Sequence, residues 1–169
     1  MKLAGGLLIL WAVVWFSYAV LRGKRMRADT LLELSVLMAR MCGELETHAA
    51  PIPELLAALA PGAGGAGKLF LETLREGLSR LGAVEFSKLW DAAVQTVLPA
   101  SDTAADRELH RAGMALGRYE LRRQCEVLEQ CSRELRSDAE SVETELSQNR
   151  RLLWGLSLAV AALLIILLI

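Results

Sequence analysis

Two long uncharged segments constrain this chain more than any other feature. Residues 3–21 read LAGGLLILWAVVWFSYAVL and residues 152–169 read LLWGLSLAVAALLIILLI, with no charge in either. At 1.5 Å rise per residue, each makes roughly 27–28 Å of helix, close to the hydrocarbon thickness of a bilayer. Neither has a polar face, so neither suits a helix of a water-soluble globule. A cleaved leader would carry a shorter apolar run with a small-x-small site behind it, whereas RGKRMR follows here. The expectation is an N-terminal transmembrane anchor over 1–21, a helical domain over 22–151 and a C-terminal transmembrane helix over 152–169.

Charge placement supports that division. All 20 acidic residues lie between Asp29 and Glu145, where 12 basic residues leave a net −8. The flanks hold seven basic residues and no acidic one: Lys2, Arg22, Lys24, Arg25, Arg27, Arg150 and Arg151. Basic residues beside spans prefer the cytosolic side. Arg22, Lys24, Arg25 and Arg27 after the first span, and Arg150 and Arg151 before the second, therefore place the middle in the cytosol and both termini outside. Tyr18 and Trp154 suit interfacial aromatics, while Trp11 and Trp15 lie deeper. A formal net charge of −1 gives no reason to expect nucleic acid. Three cysteines, Cys42, Cys125 and Cys131, are odd in number and lack C-x-x-C spacing, which reads as reduced thiols on helix faces.

Between the spans, apolar residues recur at helical intervals and nothing alternates with period two. Thr30 and Glu33 match a capping box opening a first helix to about Ala49, with Leu31, Leu34, Leu37, Met38, Met41 and Leu45 on one face. Pro51-Ile52-Pro53 breaks the chain, and Pro53 suits the first position of a short helix carrying Leu55, Leu56 and Leu59. Further helices are expected over about 67–81, with Leu69, Phe70, Leu74, Leu78 and Leu81 inward, and over about 84–98, with Phe86, Leu89 and Trp90. A fifth, capped by Ser101 or Asp102, runs to Leu116. In the last helix, Leu121, Cys125, Leu128, Ser132, Leu135, Ala139, Val142 and Leu146 alternate intervals of four and three. That heptad seam suits bundle packing and offers a coiled-coil-like surface for self-association. The sum is an all-α six-helix bundle.

Residues 62–69, GAGGAGKL, come close to a P-loop, but Leu69 stands where a hydroxyl must reach Mg²⁺. The same glycines match GxGxxG without a preceding strand, so the segment reads as a flexible helix connector. His48 and His110 are too few for a metal cluster, and the serines have no recognisable base beside them. No enzyme activity, cofactor or metal is expected.

The whole chain resembles the stage III sporulation protein AB family. The resemblance rests on Pro51-Ile52-Pro53-Glu54-Leu55-Leu56, which is similar to that family's PLPEAL, on Trp90 in KLWDAAV, on Leu116-Gly117 followed by Gln124, and on Asn149-Arg150-Arg151 before the last span. The chain departs from the family pattern at Arg118-Tyr119-Glu120, where Ser-Asp is usual; Glu120 restores a charge there. The resemblance implies a domain like the cytoplasmic domain of type II secretion F proteins and a place in the channel between mother cell and forespore. The implied partners are a cytosolic secretion-type ATPase, sporulation AA-like, and the other membrane proteins of that channel.

These readings converge on a non-catalytic membrane scaffold in the mother-cell membrane. Glu120, Glu126, Glu129, Glu140 and Glu143 are the candidate acidic contacts for a basic partner patch. Homo-oligomerisation through the seam would supply a second copy of the domain. The alternative is a membrane-anchored regulatory adaptor that binds an unrelated cytosolic partner.

Overall fold

The computed structural model describes the backbone of residues 2–79, 84–98 and 103–168, and the side chains of Trp15 and of residues 22–79, 84–98 and 103–147. Six α-helices follow one another, with no strand among the described residues: α1 Lys2–His48, α2 Ile52–Leu59, α3 Gly65–Leu78, α4 Phe86–Val97, α5 Ala104–Ala115 and α6 Leu121–Leu168. A single 3₁₀ turn, Ala60–Gly62, joins α2 to α3. By contacts the chain divides into two compact units, Arg27–Ala139 and the paired ends Met1–Met26 with Glu140–Ile169.

In the first unit the leucine spacing on α1 does what its period requires. Leu31, Leu34, Leu37, Met38, Met41 and Leu45 are all buried, a stripe at intervals of three and four. Across from it lie Cys125, Leu128, Leu135 and Ala139 of α6, four members of the heptad seam, together with Val127 and Cys131. The two helices touch where the Ser132 hydroxyl donates to the Ser35 carbonyl at 2.8 Å and the Cys125 thiol to the Cys42 carbonyl at 3.6 Å. Four seam members are thus part of the bundle's own core, while Leu121 at the start of α6 is exposed. Burial also extends to a second row on α6, at Val127 and Cys131, because α6 has bundle neighbours on more than one side. A two-stranded coiled coil would bury only the narrow seam.

Helices α3, α4 and α5 meet around Trp90. Its ring is fully buried on α4, meets Phe70 of α3 edge-on at a centroid distance of 4.9 Å, and lies 6.1 Å from Phe86. Its indole N–H donates to the Leu109 carbonyl of α5 at 2.8 Å. Such a large buried ring needs both an apolar envelope and a partner for its one donor, and α3, α4 and α5 supply them. Gly113 makes room: a Cβ there would come within 2.5 Å of Trp90 Cγ.

Three local expectations are corrected. Thr30 and Glu33 open no helix, since α1 runs unbroken through them. Amides in the middle of a helix already have acceptors one turn back, so no cap is needed there. The cap of α5 is Thr103 rather than Ser101 or Asp102, which lie outside the described residues. The Thr103 hydroxyl accepts from the Asp106 amide, and the Asp106 carboxylate accepts from the Thr103 amide, both at 3.3 Å. Leu69 is exposed and Leu71 buried in its place, because Gly67, Phe70, Leu71 and Leu74 share the inward face of α3 and Leu69 stands off it. Leu81 lies outside the described residues.

Candidate functional site

The residues that carry the family resemblance are structural, and two groups of them meet at one end of the bundle. Pro51, in extended backbone conformation, precedes α2, with Pro53 and Glu54 in the first turn. Glu54 and Leu55 amides both donate to the Pro51 carbonyl at 3.0 Å, while Leu55 and Leu56 face the core. The α5–α6 connector turns at Gly117, whose φ of +75° lies in the left-handed region that glycine tolerates. A Cβ on Gly117 would stand 3.2 Å from Cδ1 of Ile52, so this connector rests on the Pro51-Ile52-Pro53 turn. Gln124 ties the connector to α6: its amide nitrogen donates to the Tyr119 carbonyl at 2.6 Å and its oxygen accepts from the Gly117 amide at 3.3 Å. Leu116 is buried beneath.

What this end displays is an apolar and charged mixture. Tyr119 is 56% exposed, and Met114 and Leu121 are exposed beside it in sequence. Arg118 pairs with Glu85 across the surface, and Glu120 is exposed at the start of α6. Aromatic and arginine side chains held on a stiff frame, with little entropy left to lose, are what contact surfaces favour. The frame was legible as motif residues in the sequence. The neighbouring exposed side chains were not, because hydropathy alone assigns Tyr119 and Leu121 to a core.

The expected acidic face of α6 is not a uniform field. Glu126 lies 3.5 Å from Arg122 and 3.1 Å from Arg123, and Glu129 lies 3.4 Å from Arg133. Exposed pairs of this spacing contribute little stability, yet they cancel each other's field. Glu140 and Glu143 belong to the other unit, where Lys24 and Glu145 pair at 2.9 Å.

The basic flank divides likewise. Arg22 and Arg25 are exposed. Arg27 turns instead to the start of α5, 3.3 Å from the Thr103 hydroxyl and 4.0 Å from Asp106. Among the described residues no helix is long and apolar enough to cross a membrane. The two apolar segments fall outside that statement, since of their side chains only Trp15 is described, and it is exposed. Trp11, Tyr18, Asn149, Arg150, Arg151 and Trp154 likewise have side chains outside the described residues.

The glycine-rich connector is anchored rather than free. One Glu33 oxygen accepts from the Ala66 amide at 2.5 Å and the Gly67 amide at 3.3 Å, and Arg40 donates to the Gly62 carbonyl at 2.7 Å. Gly65 adopts φ +48° where the chain enters α3, just before those amides. In a nucleotide-binding loop such amides would face a phosphate. Here a carboxylate of the chain's own first helix takes that place, 33 residues away in sequence.

A family model described as Stage III sporulation protein AB (spore_III_AB) matches residues 2–169. The chain belongs to the stage III sporulation protein AB family. No curated protein and no solved structure matches it. For this sporulation family member, the matched span takes in the bundle and both apolar ends, and the motif residues Pro51, Pro53, Glu54, Trp90, Leu116, Gly117 and Gln124 now have stated structural work in it.

Proposed function

We propose that the chain is a non-catalytic membrane platform of the sporulation channel between mother cell and forespore, coupling a cytosolic secretion-type, AA-like ATPase to that assembly. The observation that carries the reading is helix continuity. α1 and α6 pair inside the bundle, and each is a single helix that includes one of the apolar segments. In this proposal, force applied to the bundle passes toward the apolar segments along α1 and α6. On this reading the apolar segments span the mother-cell membrane, the bundle is cytosolic, and the domain is of the type II secretion F kind. Membership of the sporulation family over residues 2–169 supports the setting.

The ATPase contact is assigned to the connector end, where Tyr119, Leu121 and Met114 are exposed beside Arg118 and Glu120. The remaining acidic candidates, Glu126, Glu129, Glu140 and Glu143, act in steering on this reading, because local arginines offset the first two. The test is calorimetric binding of the full chain in detergent to the AA-like ATPase, with and without nucleotide. Wild-type binding of about 1 μM or tighter, weakened at least ~10-fold by Tyr119→Ala, is the expected result. A folded full chain that neither binds the ATPase nor co-purifies with the channel's membrane proteins overturns the reading and favours the adaptor alternative.

A further inference from the structure

Cys42 and Cys125 are 83 residues apart in sequence, and the pairing of α1 with α6 brings them together. Cys42 Sγ, Cys125 Sγ and a carboxylate oxygen of Glu46 all lie within 4.8 Å of one another. Both thiols are free and buried, while Glu46 is exposed, so the group opens to solvent on one side. Glu46 follows Cys42 by one helical turn, and Glu129 follows Cys125 by one turn. Two sulfurs from facing helices and one carboxylate make a donor set suited to a borderline-soft divalent cation.

We propose that Cys42, Cys125 and Glu46 form a zinc site, with water as the fourth ligand. Binding releases two protons to solvent: each thiol loses its proton as its sulfur bonds Zn²⁺, and the carboxylate enters already ionised. Tetrahedral zinc, with Zn–S near 2.3 Å and Zn–O near 2.1 Å, places its ligand atoms roughly 3.5 Å apart. The donors therefore close inward by about 1 Å, within the reach of side-chain rotation. Calcium and magnesium require oxygen donors and are disfavoured here. Bound zinc would clamp α1 to α6 one turn from the start of α6. Cys131, fully buried on α6, lies outside the group and serves as an internal control.

The test uses the full chain in detergent, reduced with a phosphine and stripped with a chelator, then dialysed against zinc chloride and assayed for metal. The expected result is one zinc per chain, and with Co²⁺ in its place a sulfur-to-metal charge-transfer band of tetrahedral character. Cys131→Ser leaves both unchanged, Glu46→Gln weakens binding at least ~10-fold, and Cys42→Ser or Cys125→Ser weakens it at least ~100-fold. Because a buried cysteine variant can fail to fold, a second measurement uses the wild-type chain alone. Zinc should slow alkylation of Cys42 and Cys125 and leave Cys131 unchanged. Substoichiometric zinc, an unaffected Glu46→Gln variant, or equal protection of all three cysteines overturns the proposal.

Discussion

Replacing Gly113 with alanine tests the packing around Trp90 most sharply, because helix propensity and tertiary packing pull in opposite directions there. In an isolated helix, alanine is better than glycine by about 1 kcal/mol. At Gly113 the added Cβ would come within 2.5 Å of Trp90 Cγ and 3.0 Å of Nε1, and closer still to Cδ1. The ring has no free direction in which to retreat. It is fully buried, stacked edge-on against Phe70, and tethered through Nε1 to the Leu109 carbonyl one turn before Gly113. Overpacking of this kind costs roughly 1–3 kcal/mol, and displacing the indole sacrifices a buried hydrogen bond of about 1 kcal/mol. Set against the propensity gain, the net is a loss of about 2 kcal/mol, roughly a 30-fold fall in the folding equilibrium. Gly43 on α1 is the matched control, since nothing lies within 4 Å of a Cβ there. Gly43→Ala should stabilise by about 0.5–1 kcal/mol. Denaturant titration of the full-length variants in detergent, followed by circular dichroism, gives both values. Equal effects at the two glycines, or a Gly113→Ala protein as stable as wild type, would refute the account of the Trp90 pocket.

Backbone handedness gives a second pair of opposite signs. Ala49 adopts φ +46° just beyond α1, so Ala49→Gly should stabilise by about 1 kcal/mol; Gly117→Ala, at φ +75° and against Ile52, should destabilise by about 1–2 kcal/mol in the same titration. Glu33→Ala, which removes the acceptor of the Ala66 and Gly67 amides, should cost about 1 kcal/mol, with Glu33→Gln losing less because one oxygen acceptor remains. Its mark should be faster amide exchange confined to the first turn of α3. Burial, with help from the Glu108 charge, pushes the Cys131 thiol from 9.0 up to about 12. The unfolded chain therefore gives up this proton from about pH 9, while the folded chain holds it to about 12; the Cys131 contribution to stability is full below pH 9 and falls as pH climbs between the two. Cys131→Ala should flatten that alkaline decline, and an unchanged pH profile would count against the burial argument.

The helical character, the order of the six helices and the inward residues of α1 and α2 were determined by the sequence itself. Spacing and prolines act locally: Leu31 through Leu45 can share a face in only one kind of helix, and Pro51 and Pro53 stop one helix and start another. Membership of the sporulation family was legible for a related reason, since Trp90, Leu116, Gly117 and Gln124 carry the motif and hold local structure here. Tertiary structure decided the rest. Glu33 read as a helix opener but serves the start of α3, because α1 continues through it and frees its carboxylate for amides 33 residues away. The seam residues Cys125, Leu128, Leu135 and Ala139 join the core that α1 also enters, and two of the five acidic candidates, Glu126 and Glu129, pair with Arg122, Arg123 and Arg133. Cys42 and Cys125, without motif spacing, become neighbours only when two helices pair. Periodicity reports which face of a helix is buried; it carries no information about which distant side chain will meet that face.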